Sequence, residues 1–304
     1  MLPGNEDLRN EFMKDVFTYA KEHNVHPIYI GMAGSRSKGM DSVDSDYDTR
    51  VLYVHACRDG RIYLPWNEDE KTLHQKFYTN EKSDISGKPW EFIPFWEATS
   101  FFQFLKCPKF KDCAMSSGLY KIVGWTMKSP YSWDPYGLQM KIVPLLDSIF
   151  RPEYEIGWYK DELDRYWTKD SGAMLMKHYM KALHASLCIS WIKNCTGVPP
   201  VDKYALIYGN PAVTNDFAEE FERFLLRYRK ECADYTNSHS DGKLYESHSV
   251  LKCEKFNVFD DFIGKMKAVQ VDPVKIEDKR IDFVIDKIEK LVFEAAKHVL
   301  LMRE

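Results

Sequence analysis

Near the N-terminus Leu8, Phe12, Val16 and Tyr19 recur at close to helical spacing, which predicts an amphipathic helix over residues 5–24 with Asn5 as its N-cap and acids in its first turn. After Pro27 the pattern changes. Ile28 to Ala33 is a short apolar run that ends at Gly34-Ser35 and a stretch of small and polar residues, the mark of a strand followed by a turn. From Thr49 to His55 side chains alternate, with Val51, Tyr53 and His55 on one side and Arg50, Leu52 and Val54 on the other; both sides carry apolar groups, so this strand is expected to be central. Arg61–Leu64 reads as a further strand. Trp90–Phe95 reads as another, with Glu91, Ile93 and Phe95 on one side and Pro94 marking a strand end or an edge. Helical periodicity is expected to begin around Glu97 and run to Lys106.

From about residue 154 strand patterns vanish and helices are expected at 173–194, 215–232, 256–267 and 281–302. Val198-Pro199-Pro200 and Ser238–Gly242 break the run. There is no internal repeat and no low-complexity tract. The expected class is α+β: a small mixed β-sheet core flanked by helices over 1–153, then a mainly helical domain over 154–304.

The length of 304 residues agrees with about two domains. Composition narrows the chemistry. Forty-two Lys and Arg against 46 Asp and Glu leave a formal charge of −4, so no global positive field draws nucleic acid or an anionic membrane to the whole surface. Attraction for phosphate has to be local. A hydrophobic share of 44% excludes a disordered chain, and no apolar run reaches the roughly 18 residues of a membrane span. The N-terminal residues lack a signal-peptide pattern, and the seven cysteines form no CxxC pair, so the expectation is reduced thiols in a cytoplasmic protein with no membrane partner.

One stretch concentrates candidate chemistry: Gly34-Ser35-Arg36-Ser37-Lys38-Gly39-Met40-Asp41-Ser42-Val43-Asp44-Ser45-Asp46-Tyr47-Asp48. Asp46 and Asp48, two residues apart as the chain enters a strand, share a face and repel unless a cation lies between them. Hard carboxylate oxygens suit Mg²⁺, or Mn²⁺ in its place. Gly34 permits close backbone approach, and free amides with the Ser35 hydroxyl suit a phosphate, to which Arg36 and Lys38 add charge. A two-metal site needs a third carboxylate, and Glu91 is the first choice, then Glu97, then Asp84. The acidic run also fits a solvated loop, and Glu91 also fits a surface acid. Lys177, Lys181 and His184, at i, i+4 and i+7, share one helical face that either reaches phosphates or a base or is an ordinary solvated face. Tyr179 and Trp191 read as core, and the mixed charges from Glu219 to Lys230 read as a solvated helix face.

Gly-Ser, ten residues, then Asp-x-Asp resembles the signature of the polymerase-beta-like nucleotidyltransferases. The full string GSRSKGMDSVDSDYDTR resembles more closely the bacterial and phage branch known as the RNA-repair-pathway polymerase beta family, in which an Arg follows the acids, here Arg50. Lys128-Ser129-Pro130 and the run Lys177 to His184, followed by Trp191 and Pro199-Pro200, are similar to two further motifs of that branch. Lys38 replaces a usual aromatic, and His184 a usual Arg. The resemblance covers about residues 28 to 205. It implies transfer of a nucleoside monophosphate from an NTP to a hydroxyl acceptor, an RNA or tRNA end by the branch's name, with a protein or small molecule also open as acceptor. Asp46, Asp48 and Glu91 would hold the metals, Glu91 would help deprotonate the acceptor, and Ser35 with nearby amides would grip the outgoing phosphates.

Overall fold

In the computed structural model the described residues are 6–22, 25–42, 45, 49–55, 95–97, 129, 132–167, 172–195, 197–238 and 250–301. The first element is helix α1 (Glu6–Glu22), which turns Val16 and Ala20 inward and leaves Phe17 exposed. Strand β1 (Val25–Met32) follows and pairs antiparallel with β2 (Thr49–His55), as their apolar patterns require. Plain alternation does not survive along β1. Pro27 lies opposite Tyr53 and Tyr29 opposite Leu52, so Ile28 is an extra residue, a bulge immediately after the proline. The bulge reverses the parity of the strand. Val25 on one side of it and Ile30 and Met32 on the other can then join Val51 and Tyr53 in one core with Val16 and Ala20 of α1.

The sheet is mixed, as expected. Its order places β3 (Phe95–Glu97) beside β2 in parallel and β4 (Ser132–Trp133) beside β1 antiparallel. Glu97, expected to start a helix, is a strand residue opposite Tyr53. The expected strand at 61–64, residues 91–94 and the rest of the expected helix to 106 lie outside the described residues. Helix α3 (Leu138–Asp147) was not read from sequence, because Gly137 and Pro144 interrupt its pattern. Asp134 accepts the first free amides of α3, from Leu138 at 2.8 Å and Gln139 at 2.7 Å.

The later half is mainly helical. Helix α4 (Pro152–Tyr166) starts on a proline with two acids in its first turn, and α5 (Met176–Cys195) packs against it. Helix α5 is buried around most of its circumference, so it is the axis of this part. Helices α6 (Lys203–Tyr208) and α8 (Asn257–Lys267) also pack on α5, and the long α7 (Asn215–Ser238) buries Phe221, Phe224, Leu225 and Tyr228. Strands do not vanish here. Ala173–Leu175 (β5) and Lys252–Glu254 (β6) form a two-stranded antiparallel sheet, each too short to show a period of two in sequence. Helix α9 (Asp278–Leu301) closes the order and packs on α3 and β1.

By contact the chain forms two compact units, Met1–Ser37 with Tyr47–Ile149 and Ile276–Glu304, and Lys38–Asp46 with Phe150–Lys275. The break read at 153 lies at 149, and the last helix groups with the sheet. Among the described residues no helix is long and apolar enough to cross a membrane.

Candidate active site

Met32, near the end of β1, pairs with Thr49 at the start of β2, so the chain from Ala33 to Asp48 connects two strand ends that lie side by side. The connection opens with a single helical turn, α2 (Gly34–Ser37). Gly34 enters it at φ 69°, a conformation that costs a residue with a Cβ, and the buried Ser37 hydroxyl donates to the Gly34 carbonyl at 2.9 Å. Ser35 and Arg36 in the same turn are half-buried.

The next residues belong to the helical unit. The Lys203 amide donates to the Lys38 carbonyl at 3.1 Å. Gly39 has φ 68°, and a Cβ there would meet Lys203 Cε at 3.4 Å. Arg229 of α7 donates from Nε to the Asp41 carbonyl at 2.9 Å and from Nη2 to the Gly39 carbonyl at 3.2 Å and Asp41 Oδ1 at 3.1 Å. Beyond it Ser42 and Ser45 close a turn: the Ser45 amide donates to the Ser42 carbonyl at 3.1 Å, and the Ser42 amide to Ser45 Oγ at 2.9 Å.

Asp46, Asp48, Glu91 and Asp84 lie outside the described residues. Asp48 is joined to Thr49, the first residue of β2, and Arg50 pairs with Gly31. Among the described residues no group of three or more His, Cys, Asp or Glu is placed to hold a metal. The donor set read from sequence is all carboxylate, which is the oxygen chemistry that Mg²⁺ and Mn²⁺ take.

The basic trio of α5 is not one uniform face. Lys177 is half-buried. Lys181 Nζ lies 4.5 Å over the Tyr166 ring and donates to its hydroxyl at 3.3 Å. His178 packs on the same ring, and burial, then the charges of Lys181 and Lys177, lower its pKa. His184 is 4% exposed, inside the unit. Burial first, and the charge of Lys38 second, hold its pKa well below the usual histidine range, so its ring is neutral near pH 7. The structure therefore brings Lys38 and His184 into electrostatic contact. Cys188 Sγ lies 3.8 Å from His184 Nε2, and burial pushes the thiol up to about 12, which leaves it protonated and inert. Tyr179 is core, as expected, packed on Phe224, Phe256 and Phe259 with its hydroxyl donating to Asp260 at 2.9 Å.

Two charges read as solvated also take protein partners. Glu222 accepts from the buried Lys203 Nζ at 2.8 Å, and Arg229 reaches the motif loop. They flank the apolar stripe of α7 at i and i+7, two turns apart on one face, a spacing that many solvated charges on the same helix share.

An uncharacterized protein of Bacillus subtilis (strain 168), YcgL, is 20% identical to this chain over 226 residues, which are 73% of this chain and 77% of that protein. No solved structure matches. Residues 8–79, which carry the glycine-serine turn and the acidic connection between β1 and β2, match the RNA repair pathway DNA polymerase beta family, the family that the motif resembles.

Proposed function

We propose that the protein is a metal-dependent nucleotidyltransferase that moves a nucleoside monophosphate from an NTP to a hydroxyl on an RNA or tRNA end and releases pyrophosphate. The observation that supports this best is the connection between the paired strand ends: a positive-φ glycine and serine at one end, and the Asp46/Asp48 pair joined to β2 at the other. In this reading Asp46, Asp48 and Glu91 hold Mg²⁺ or Mn²⁺, which when bound neutralises charge on the triphosphate. The acceptor oxygen forms its bond to the α-phosphorus as the bond to the bridging oxygen breaks, and Glu91 takes the acceptor's proton. Ser35 and the amides beside Gly34 hold the leaving pyrophosphate, with Arg36, Lys38 and Arg50 adding positive charge. Such catalysis is positioning plus electrostatics and needs no protein nucleophile. Lys177 and Lys181 of α5 are a second source of positive charge for a nucleotide. A neutral His184 sets no second positive charge against Lys38.

The test is incubation with each α-labelled NTP, Mg²⁺ or Mn²⁺, and separate pools of tRNA, total RNA and protein. Label is expected in an RNA pool, with the transfer lost in Asp46→Asn and Asp48→Asn. Label on the protein pool alone would replace the acceptor. Transfer that survives both substitutions would overturn the chemistry, and NTP binding with no transfer to any pool would make the chain a nucleotide-binding regulator.

A further inference from the structure

The acidic connection between the strands carries a physical problem. Asp41, Asp44, Asp46 and Asp48 place four carboxylates within eight residues, and their mutual repulsion favours an extended, solvated loop. The described part of that loop is instead tied along its length. Lys203 holds the Lys38 carbonyl, Arg229 holds the Gly39 and Asp41 carbonyls and the Asp41 carboxylate, and the Ser42–Ser45 turn fixes the residue that precedes Asp46.

The ties are themselves supported. Lys203 is 1% exposed, its ammonium bonds both oxygens of Glu222 at 2.8 and 3.1 Å, and it lies 3.8 Å over the Tyr204 ring. Asp202 caps α6 by accepting from the Tyr204 and Ala205 amides, which fixes the helix start that carries the Lys203 amide. Glu222 and Arg229 are two turns apart on α7, so one rigid helix sets both supports, about 10 Å apart along its axis. The planar guanidinium meets three acceptors at once, which an ammonium cannot do with the same geometry.

We infer that Arg229 is a positioning residue for the metal-binding acids: by gripping Gly39 and Asp41 it neutralises one carboxylate of the loop and fixes the backbone of residues 39–41, upstream of Asp46 in the chain, with Lys203 and Glu222 as its structural support. This rests on the nucleotidyltransferase reading. Arg229 touches no reacting atom; it acts through the loop.

The experiment compares the full-length wild type with Arg229→Ala, Arg229→Lys, Asp41→Asn and Asp46→Asn. Each is measured for thermal melting by circular dichroism, for Mn²⁺ binding by loss of the free-ion paramagnetic resonance signal, and for label transfer as a function of Mn²⁺. Residues that orient metal ligands change metal affinity by about 10- to 100-fold, so Arg229→Ala is expected to weaken Mn²⁺ binding by about tenfold at a temperature where it remains folded. Arg229→Lys is expected to recover part of that loss, and Asp41→Asn, which keeps both carbonyl contacts, to weaken binding by less. Should Arg229→Ala not fold, Arg229→Lys and Asp41→Asn carry the same comparison. Wild-type Mn²⁺ affinity in folded Arg229 and Asp41 variants, alongside a loss in Asp46→Asn, overturns the inference and leaves the chemistry standing. Unchanged Mn²⁺ binding in Asp46→Asn overturns the nucleotidyltransferase reading first, and the inference with it.

Discussion

On the sheet side of Ser37 the chain is set by apolar packing: Val16, Ile30, Met32, Val51 and Tyr53 are fully or almost fully buried against one another. On the other side, from Lys38 to Ser45, it is set by charge and hydrogen bonds, with Arg229, Lys203 and Glu222 contributed from more than 160 residues further along the sequence. The two halves of one motif are therefore under different physical control. Apolar burial tolerates salt and pH. Part-exposed ion pairs are screened by salt, and a neutral histidine takes up a proton as pH falls, so the acidic half is the one that solution conditions can loosen.

The largest expected effect lies on the apolar side. Ile30→Ala empties a fully buried position in the sheet core, and removal of such a side chain costs about 2–5 kcal/mol. Urea denaturation followed by circular dichroism is expected to show a loss near the middle of that range, with the same value at low and high salt. A loss that varied strongly with salt would erase the distinction between the halves.

Next comes the buried pair. Lys203→Met leaves Glu222 without its cation. Removal of one partner from a fully buried pair costs about 3–5 kcal/mol, but Glu222 is 27% exposed and water offsets part of this, so about 2 kcal/mol is expected. The double change Lys203→Met with Glu222→Leu is expected to restore most of the loss, because two apolar groups of similar size need no desolvation of charge. Urea midpoints of the two single variants, the double and the wild type complete the cycle. Failure of the double to recover would mean that Glu222 has a second role.

The contrast also explains what was legible in the sequence. Helices α1, α5, α7, α8 and α9 and strands β1 and β2 declare themselves because burial imposes a period on apolar residues. The glycine-serine and acid spacing is legible for another reason: positive φ at Gly34 and Gly39 restricts residue type at fixed positions. The bulge at Ile28 was not legible, since it reverses parity without altering composition. Neither were β5 and β6, at three residues each, nor the grouping of α9 with the sheet, which depends on tertiary contact. Charges carry the least local signal. Glu222 and Arg229 read like any solvated pair until the partners on Lys203 and the loop are known. Of the candidates for the third carboxylate, Glu97 stands in β3 opposite Tyr53, and Glu91 and Asp84 lie outside the described residues.

The smallest effect separates the halves by pH alone. His184 is wholly buried on α5, facing the charge of Lys38 and the Sγ of Cys188, and its pKa is depressed by burial and then by Lys38. A histidine depressed in the folded state binds its proton more readily when unfolded. Its contribution to stability is therefore complete above the unfolded value of about 6.5 and falls as pH drops below it, with a slope of at most about 1.4 kcal/mol per pH unit. His178 shifts in the same direction but is only half-buried, so its share is smaller. Urea midpoints taken from pH 7.5 to 5.5 are expected to fall along that slope in the wild type and to flatten in His184→Gln, while Ile30→Ala shifts the whole curve without changing its shape. An unchanged slope in His184→Gln would assign the acid sensitivity to other groups.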